Sequence, residues 1–198
     1  NENANSALST YTYTRCDLAQ PTGLKITNVA SSGKPNITWT AVERADKYYV
    51  YRADTKDGTY TYLRSTTGTS YEDTTAVAGN LYYYKVRAVY SANENANSIQ
   101  SSYTYTRCDL PQPKASITLS TKGKPSVTWN AVSGASKYEI WRKVESGEYV
   151  KYHTQTGTSF TNSSTTAGTT YYYKVIAVCG TSTSGNSAYS NEVSITSK

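Results

Sequence analysis

AGNLYYYKVRAV, residues 78–89, returns as AGTTYYYKVIAV at residues 167–178. Each run opens on a Gly-x-x-Tyr step, Gly79–Tyr82 and Gly168–Tyr171, and then alternates. A strand turns successive side chains to opposite faces, so Tyr82, Tyr84, Val86 and Ala88 share one face and Tyr83, Lys85 and Arg87 the other. Working outward, GKPNITW (33–39) answers GKPSVTW (123–129), ADKYYVYR (45–52) answers ASKYEIWR (135–142), and TGTSY (67–71) answers TGTSF (156–160). The phrase NENANSALSTYTYTRCDL (1–18) recurs as NENANSIQSSYTYTRCDL (93–110), identical at fifteen of eighteen positions. A repeat of about ninety residues, filled with strand-like runs, implies tandem β-domains rather than a short-period solenoid.

The 198 residues suffice for one large domain or two of about 100, each able to bury a core. Twenty-one Tyr stand against one Phe, one His and no Met. Tyr, Thr and Val fit a pleated, half-solvated surface, so the expected class is all-β. Apolar residues make up 37% of the chain but gather in alternating runs, unlike those of disordered chains. No apolar run approaches the ~20 residues that cross a bilayer and no signal peptide is visible, so membrane insertion is not expected. The net charge of +6 divides into eleven Lys/Arg against nine Asp/Glu over residues 1–107, then nine against five. The lysines stand singly, without Arg clusters or Gly-aromatic signatures, so no nucleic-acid partner is expected.

Within one period the expected strands are 24–29, 36–42, 47–53, 59–65, 69–73, 80–90 and 101–107. Pro35 enters the second, where a missing N–H is tolerated. Trp39 and Trp129 fall on the second strand of each copy, and Tyr48-x-Val50 and Tyr138-x-Ile140 on the third. Seven short strands with turn signals every 8–12 residues form the pattern of an immunoglobulin-like sandwich. Together these features resemble fibronectin type III domains of the kind found in bacterial surface proteins and extracellular carbohydrate-active enzymes. The resemblance covers residues 17–198 and implies two tandem seven-stranded sandwiches, residues 17–107 and 108–198, meeting near Arg107–Pro113. It implies that Trp39 and Trp129 pack between the sheets. It also makes Tyr82 and Tyr171 tyrosine corners, whose hydroxyls bond to backbone upstream. Residues 1–16 then read as the last strand of a preceding repeat plus its junction.

Catalytic chemistry finds no support. The single histidine, His153, lies in the strand-like run KYHTQTG, and no G-x-S-x-G, H-E-x-x-H or phosphate-loop motif occurs. Paired carboxylates for glycoside hydrolysis are not evident, because the few acids lie mostly in expected turns. The loop Asp54-Thr-Lys-Asp57-Gly58 could begin a Ca²⁺ site, yet it reads as an ordinary turn, and VESGE in the second copy lacks both aspartates. The expectation is no catalytic residue, no metal and no cofactor. Cys16/Gln20 and Cys108/Gln112 have thioester-like spacing, a chemistry not associated with such junctions. Asn36 and Asn162 match the N-glycosylation pattern.

The outward face of the third and sixth strands is the candidate binding surface. It carries Tyr49, Tyr51, Tyr83, Lys85 and Arg87 in the first copy, and Glu139, Trp141, Tyr172, Lys174 and Ile176 in the second. The functional expectation is a non-catalytic spacer in an extracellular multidomain protein, with adjacent domains as partners. The alternative is a carbohydrate- or protein-binding module that uses this face. In the implied fold Cys108 and Cys179 lie at the same end of the second sandwich, making them a candidate disulfide. Residues 8–15 form a candidate edge strand for self-association.

Overall fold

In the computed structural model the described residues are 17–180 and 185–198. The N-terminal tail lies outside them, and with it Cys16 and the association expected of residues 8–15. The first sandwich consists of β1 (Lys25–Asn28), β2 (Pro35–Thr38), β3 (Lys47–Ala53), β4 (Thr61–Thr66), β5 (Ser70–Glu72), β6 (Leu81–Val89) and β7 (Thr104–Arg107). The second consists of β8 (Ala115–Leu119), β9 (Pro125–Trp129), β10 (Ala135–Val144), β11 (Val150–Gln155), β12 (Ser159–Thr161), β13 (Thr170–Cys179) and β14 (Val193–Thr196). In each, a three-stranded sheet packs on a four-stranded one: β1-β2-β5 with β4-β3-β6-β7, and β8-β9-β12 with β11-β10-β13-β14. All pairings are antiparallel.

The alternation decides which face is buried. On β3, Tyr48, Val50 and Ala53 are buried while Tyr49 and Tyr51 are not; on β6, Tyr82, Tyr84, Val86 and Ala88 go inward. Trp39 lies one residue beyond β2, packed edge-on against Tyr48 with ring centres 5.4 Å apart; Trp129 meets Tyr138 at 5.5 Å. The Tyr82 hydroxyl accepts a hydrogen bond from Val77 N at 3.1 Å, and Tyr171 accepts one from Thr166 N at 3.0 Å. Each places a buried phenol where it caps a turn N–H five residues upstream, which fixes the entry into β6 and β13.

Two separate cores result. Leu110 joins Trp129, Ile140 and Tyr173 in the second, whereas Cys108 joins Trp39, Val50 and Tyr84 in the first. Cys108, expected to open the second domain, thus packs as part of the first. Its position directly after β7 continues the inward alternation of that strand.

Candidate functional site

Two features emerge from this frame: the joint between the sandwiches and the outward face of each four-stranded sheet. Cys108 and Leu110 are both fully buried, but in different cores, leaving a single residue between them. Cys108 N donates to Asn80 O (2.9 Å), and Gly79 N donates to Cys108 O (2.8 Å). The chain then runs along the turn after β1, with Asp109 N bonded to Gly33 O (2.9 Å) and Gln112 N to Ala30 O (3.0 Å). Between these, Leu110 N turns to Gly185 O of the second sandwich at 2.9 Å. Gly33 has φ +71°, and a β-carbon there would lie 2.2 Å from Asp109 O. Only glycine permits both the backbone conformation and so close an approach. At Gly185 a β-carbon would stand 3.1 Å from Gly79 Cα and 3.3 Å from Cys179 Sγ, so the loop before β14 meets the first sandwich backbone to backbone.

The cysteines follow from this geometry. Cys108 and Cys179 are not joined. Cys108 Sγ donates weakly to Gly33 O at 3.4 Å within the first core, and Cys179 packs in the second. The expected bridge would have to draw both sulfurs out of separate cores. Burial pushes the Cys108 thiol above its ordinary pKa. Gln112 donates to Tyr189 O rather than pairing with Cys108, and Cys16 of the other thioester-like spacing lies outside the described residues. Asn162, in the glycosylation pattern, is 1% exposed. Among the described residues no three His, Cys, Asp or Glu side chains cluster as a metal site would need.

On the outward face the register places Tyr49 opposite Arg87 and Tyr51 opposite Lys85. Tyr62 of β4 stands edge-on to both tyrosines, at 5.3 and 6.2 Å, and Lys85 lies over Tyr60 at 4.1 Å. Tyr83 stacks on Tyr105 of β7 at 5.4 Å. Arg87 leaves the face, its Nε donating to Ser98 O at 2.7 Å. In the second copy Trp141 is edge-on to Tyr189 (5.6 Å), Lys174 lies over Tyr149 (4.6 Å) and Lys143 over Tyr172 (4.6 Å). Tyr149 donates to Glu192 at 2.6 Å, which holds that carboxyl below the ordinary range. The aromatic rings on both faces are therefore engaged with neighbouring rings and lysine ammonium groups.

Over 91% of this chain and the whole of the other, the fold matches a two-domain fibronectin type III segment of chicken tenascin, with a TM-score of 0.52 at 16% identity. An Fn3-like protein from Clostridium thermocellum is 32% identical over 46% of this chain and 92% of its own, with a TM-score of 0.40. This chain belongs to the fibronectin type III family. The pair is also 32% identical over 195 residues to Exoglucanase B of Cellulomonas fimi, a match of 90% of this chain but only 16% of the exoglucanase. No family model matches the chain.

The two fibronectin type III copies differ at one buried polar lock. In the first, Asp73 is fully buried and accepts from Arg52 Nη1 (2.8 Å), Tyr84 Oη (2.8 Å), Thr75 N (3.0 Å) and Thr75 Oγ1 (2.7 Å). Burial works to raise its carboxyl, but the hydrogen bonds from Thr75, Arg52 and Tyr84 outweigh it and hold the pKa below the ordinary range. In the second, neutral Asn162 donates to Tyr173 Oη (2.8 Å) and accepts from Tyr152 Oη (3.1 Å). Sequence reading missed Asp73 because an acid closing a short strand resembles a turn acid. It also missed Tyr60, Tyr62 and Tyr105 on the face, although the alternation of TYTYLRS and YTYT carried the signal.

Proposed function

We propose that this fibronectin type III pair is a non-catalytic spacer in a secreted or surface-attached multidomain protein, holding neighbouring domains at a set separation. The joint carries the reading. With one residue between two buried anchors, and backbone bonds on both sides, the second sandwich has little freedom to swing on the first. The likeness to a minor stretch of a much longer exoglucanase supports a module that works beside other domains. The test is a distance distribution between spin labels at the equivalent exposed positions Thr59 and Glu148, attached through introduced ketone side chains. The spacer reading expects one narrow peak, broadened by Gly185→Val, which crowds Gly79. A broad distribution in the parent protein would overturn it.

A second reading rests on Tyr62 and Tyr105, each 56% exposed, which crown the ring clusters of the first copy as a platform for a sugar or a protein. Glycan-array binding by the parent, lost in Tyr62→Ala and Tyr105→Ala, would favour it; no binding would leave the spacer role alone.

A further inference from the structure

The far end of the second sandwich repeats three backbone hydrogen bonds of the surface on which the first receives the second. In the first, Gly79 N and Cys108 O, Cys108 N and Asn80 O, and Asp109 N and Gly33 O are paired at 2.8–2.9 Å. In the second, Gly168 N meets Ser197 O (2.9 Å), Ser197 N meets Thr169 O (3.0 Å) and Lys198 N meets Gly123 O (2.8 Å). Even the side-chain contact recurs: Cys108 Sγ lies 3.4 Å from Gly33 O, and Ser197 Oγ 3.4 Å from Gly123 O. Gly33 and Gly123 share φ +71°, and Gly79 and Gly168 have +86° and +80°.

What differs is the covering. Gly33 and Gly79 are buried and Ala78 packs against the second core, whereas Gly123 is half-buried and Ala167 and Gly168 are exposed. A β-carbon at Gly168 would meet nothing within 4 Å, while the backbone of Gly79 is held against Gly185. From this we infer that the end formed by Gly123, Ala167, Gly168 and Ser197 is a preformed socket for a third fibronectin type III domain of this repeat. Such a domain would enter with a leucine two residues beyond the Ser197 position and a glycine or alanine carbonyl to receive the leucine N–H. The first sandwich already meets that description, since Leu18 N donates to Ala96 O at 2.8 Å as Leu110 N does to Gly185 O. The partner is thus specified by small residues and backbone groups, not by charge.

The inference deepens the spacer reading and rests on it. Its test is a chain in which residues 109–197 are repeated directly after Ser197, with labels at Glu148 and at its counterpart in the added copy. The expected distribution has the peak and width of the Thr59–Glu148 pair. Gly185→Val in the added copy alone should broaden the new distance and leave the old one unchanged. A narrow first distance with a broad second, or a second distance indifferent to that substitution, would overturn the socket while leaving the spacer intact. A broad first distance would overturn both. Reversible dimerisation of the two-domain protein, abolished by Gly168→Leu, would assign the socket to a second molecule and overturn the in-line arrangement.

Discussion

Acid should unfold the first sandwich before the second, because only the first is locked by a fully buried carboxylate, whereas Glu192 of the second sits at the solvated surface. The folded pKa of Asp73 is lowered, so its stabilisation is complete above the unfolded value of about 3.9 and is lost as pH falls through the lower folded value. Asn162 carries no titrating group, so the same buried position in the second sandwich is indifferent to pH. The magnitude follows from the partners. Asp73→Ala removes a charge-assisted hydrogen bond from Arg52, worth about 1.5–3 kcal/mol. It also leaves the fully buried Tyr84 hydroxyl without its acceptor, at about 1–3 kcal/mol. Arg52 is 25% exposed at its side chain and regains water, which keeps the sum near 3–4 kcal/mol rather than at the upper end for a broken buried ion pair. Asp73→Asn copies the second sandwich, should cost about 1–2 kcal/mol at neutral pH, and should remove most of the acid sensitivity. Calorimetry from pH 6 to pH 2.5 reads both: two overlapping transitions at neutral pH should separate in acid, with the lower one insensitive to pH in Asp73→Asn. If the acid shift of that transition were the same in Asp73→Asn as in the parent, Asp73 would not be its cause.

Trp39→Ala and Trp129→Ala should each destabilise their own sandwich by about 3–5 kcal/mol and leave the other unchanged, as seen in chemical denaturation of the two-domain protein. Tyr82→Phe and Tyr171→Phe should cost about 1–2 kcal/mol, since each leaves one turn N–H, at Val77 or Thr166, without its acceptor. Cys108 should resist Ellman's reagent in the native protein and react on unfolding, because its thiol is buried and its pKa raised; rapid labelling of native Cys108 would place it outside the first core. Gly33→Ala must displace Asp109 O, so it should both destabilise the first sandwich and widen the Thr59–Glu148 distribution.

The strands were legible because alternation and burial coincide. On β6 the alternate residues Tyr82, Tyr84, Val86 and Ala88 are buried, and on β3 Tyr48 and Val50 are, before the phase shifts at Arg52 and Ala53. The outward tyrosines followed from the same period, but which of them stand side by side did not. Tyr62 and Tyr105 reach the face from β4 and β7, and only the four-strand order β4-β3-β6-β7 brings them beside Tyr49 and Tyr83. The Asp73 lock needs β3, β5 and β6 placed at once, so no local pattern announces it. The joint is written almost wholly in backbone groups of Gly33, Ala30, Gly79 and Gly185, whose hydrogen bonds leave no periodic trace in side chains. What sequence did register was the repeated Gly-Lys-Pro and Ala-Gly pairs, the turns from which that joint is built.

Comparing the two copies separates what the pair needs from what it merely carries. The hydroxyls that tie β6 and β13 to the following loop recur: Ser98 and Ser101 accept from Ala88 N and Val86 N as Ser187 and Ser190 do from Ala177 N and Val175 N, all at 2.9 Å. The joint bonds recur as well, though one copy uses Cys108 and the other Ser197. The outward faces recur only in part: Lys85 lies over Tyr60 as Lys174 lies over Tyr149, but the surroundings of that pair differ. The first presents stacked tyrosines, whereas the second sets Glu192 within 3.7 Å of both Lys143 and Lys174, and Glu139 within 3.3 Å of Lys151. A ligand read by both sandwiches would find only the lysine–tyrosine pair in common, because the tyrosine stack of the first face and the glutamate–lysine pairs of the second have no counterparts. The ends share their joint bonds, which is why the weight of the functional argument falls on how one sandwich is held against the next.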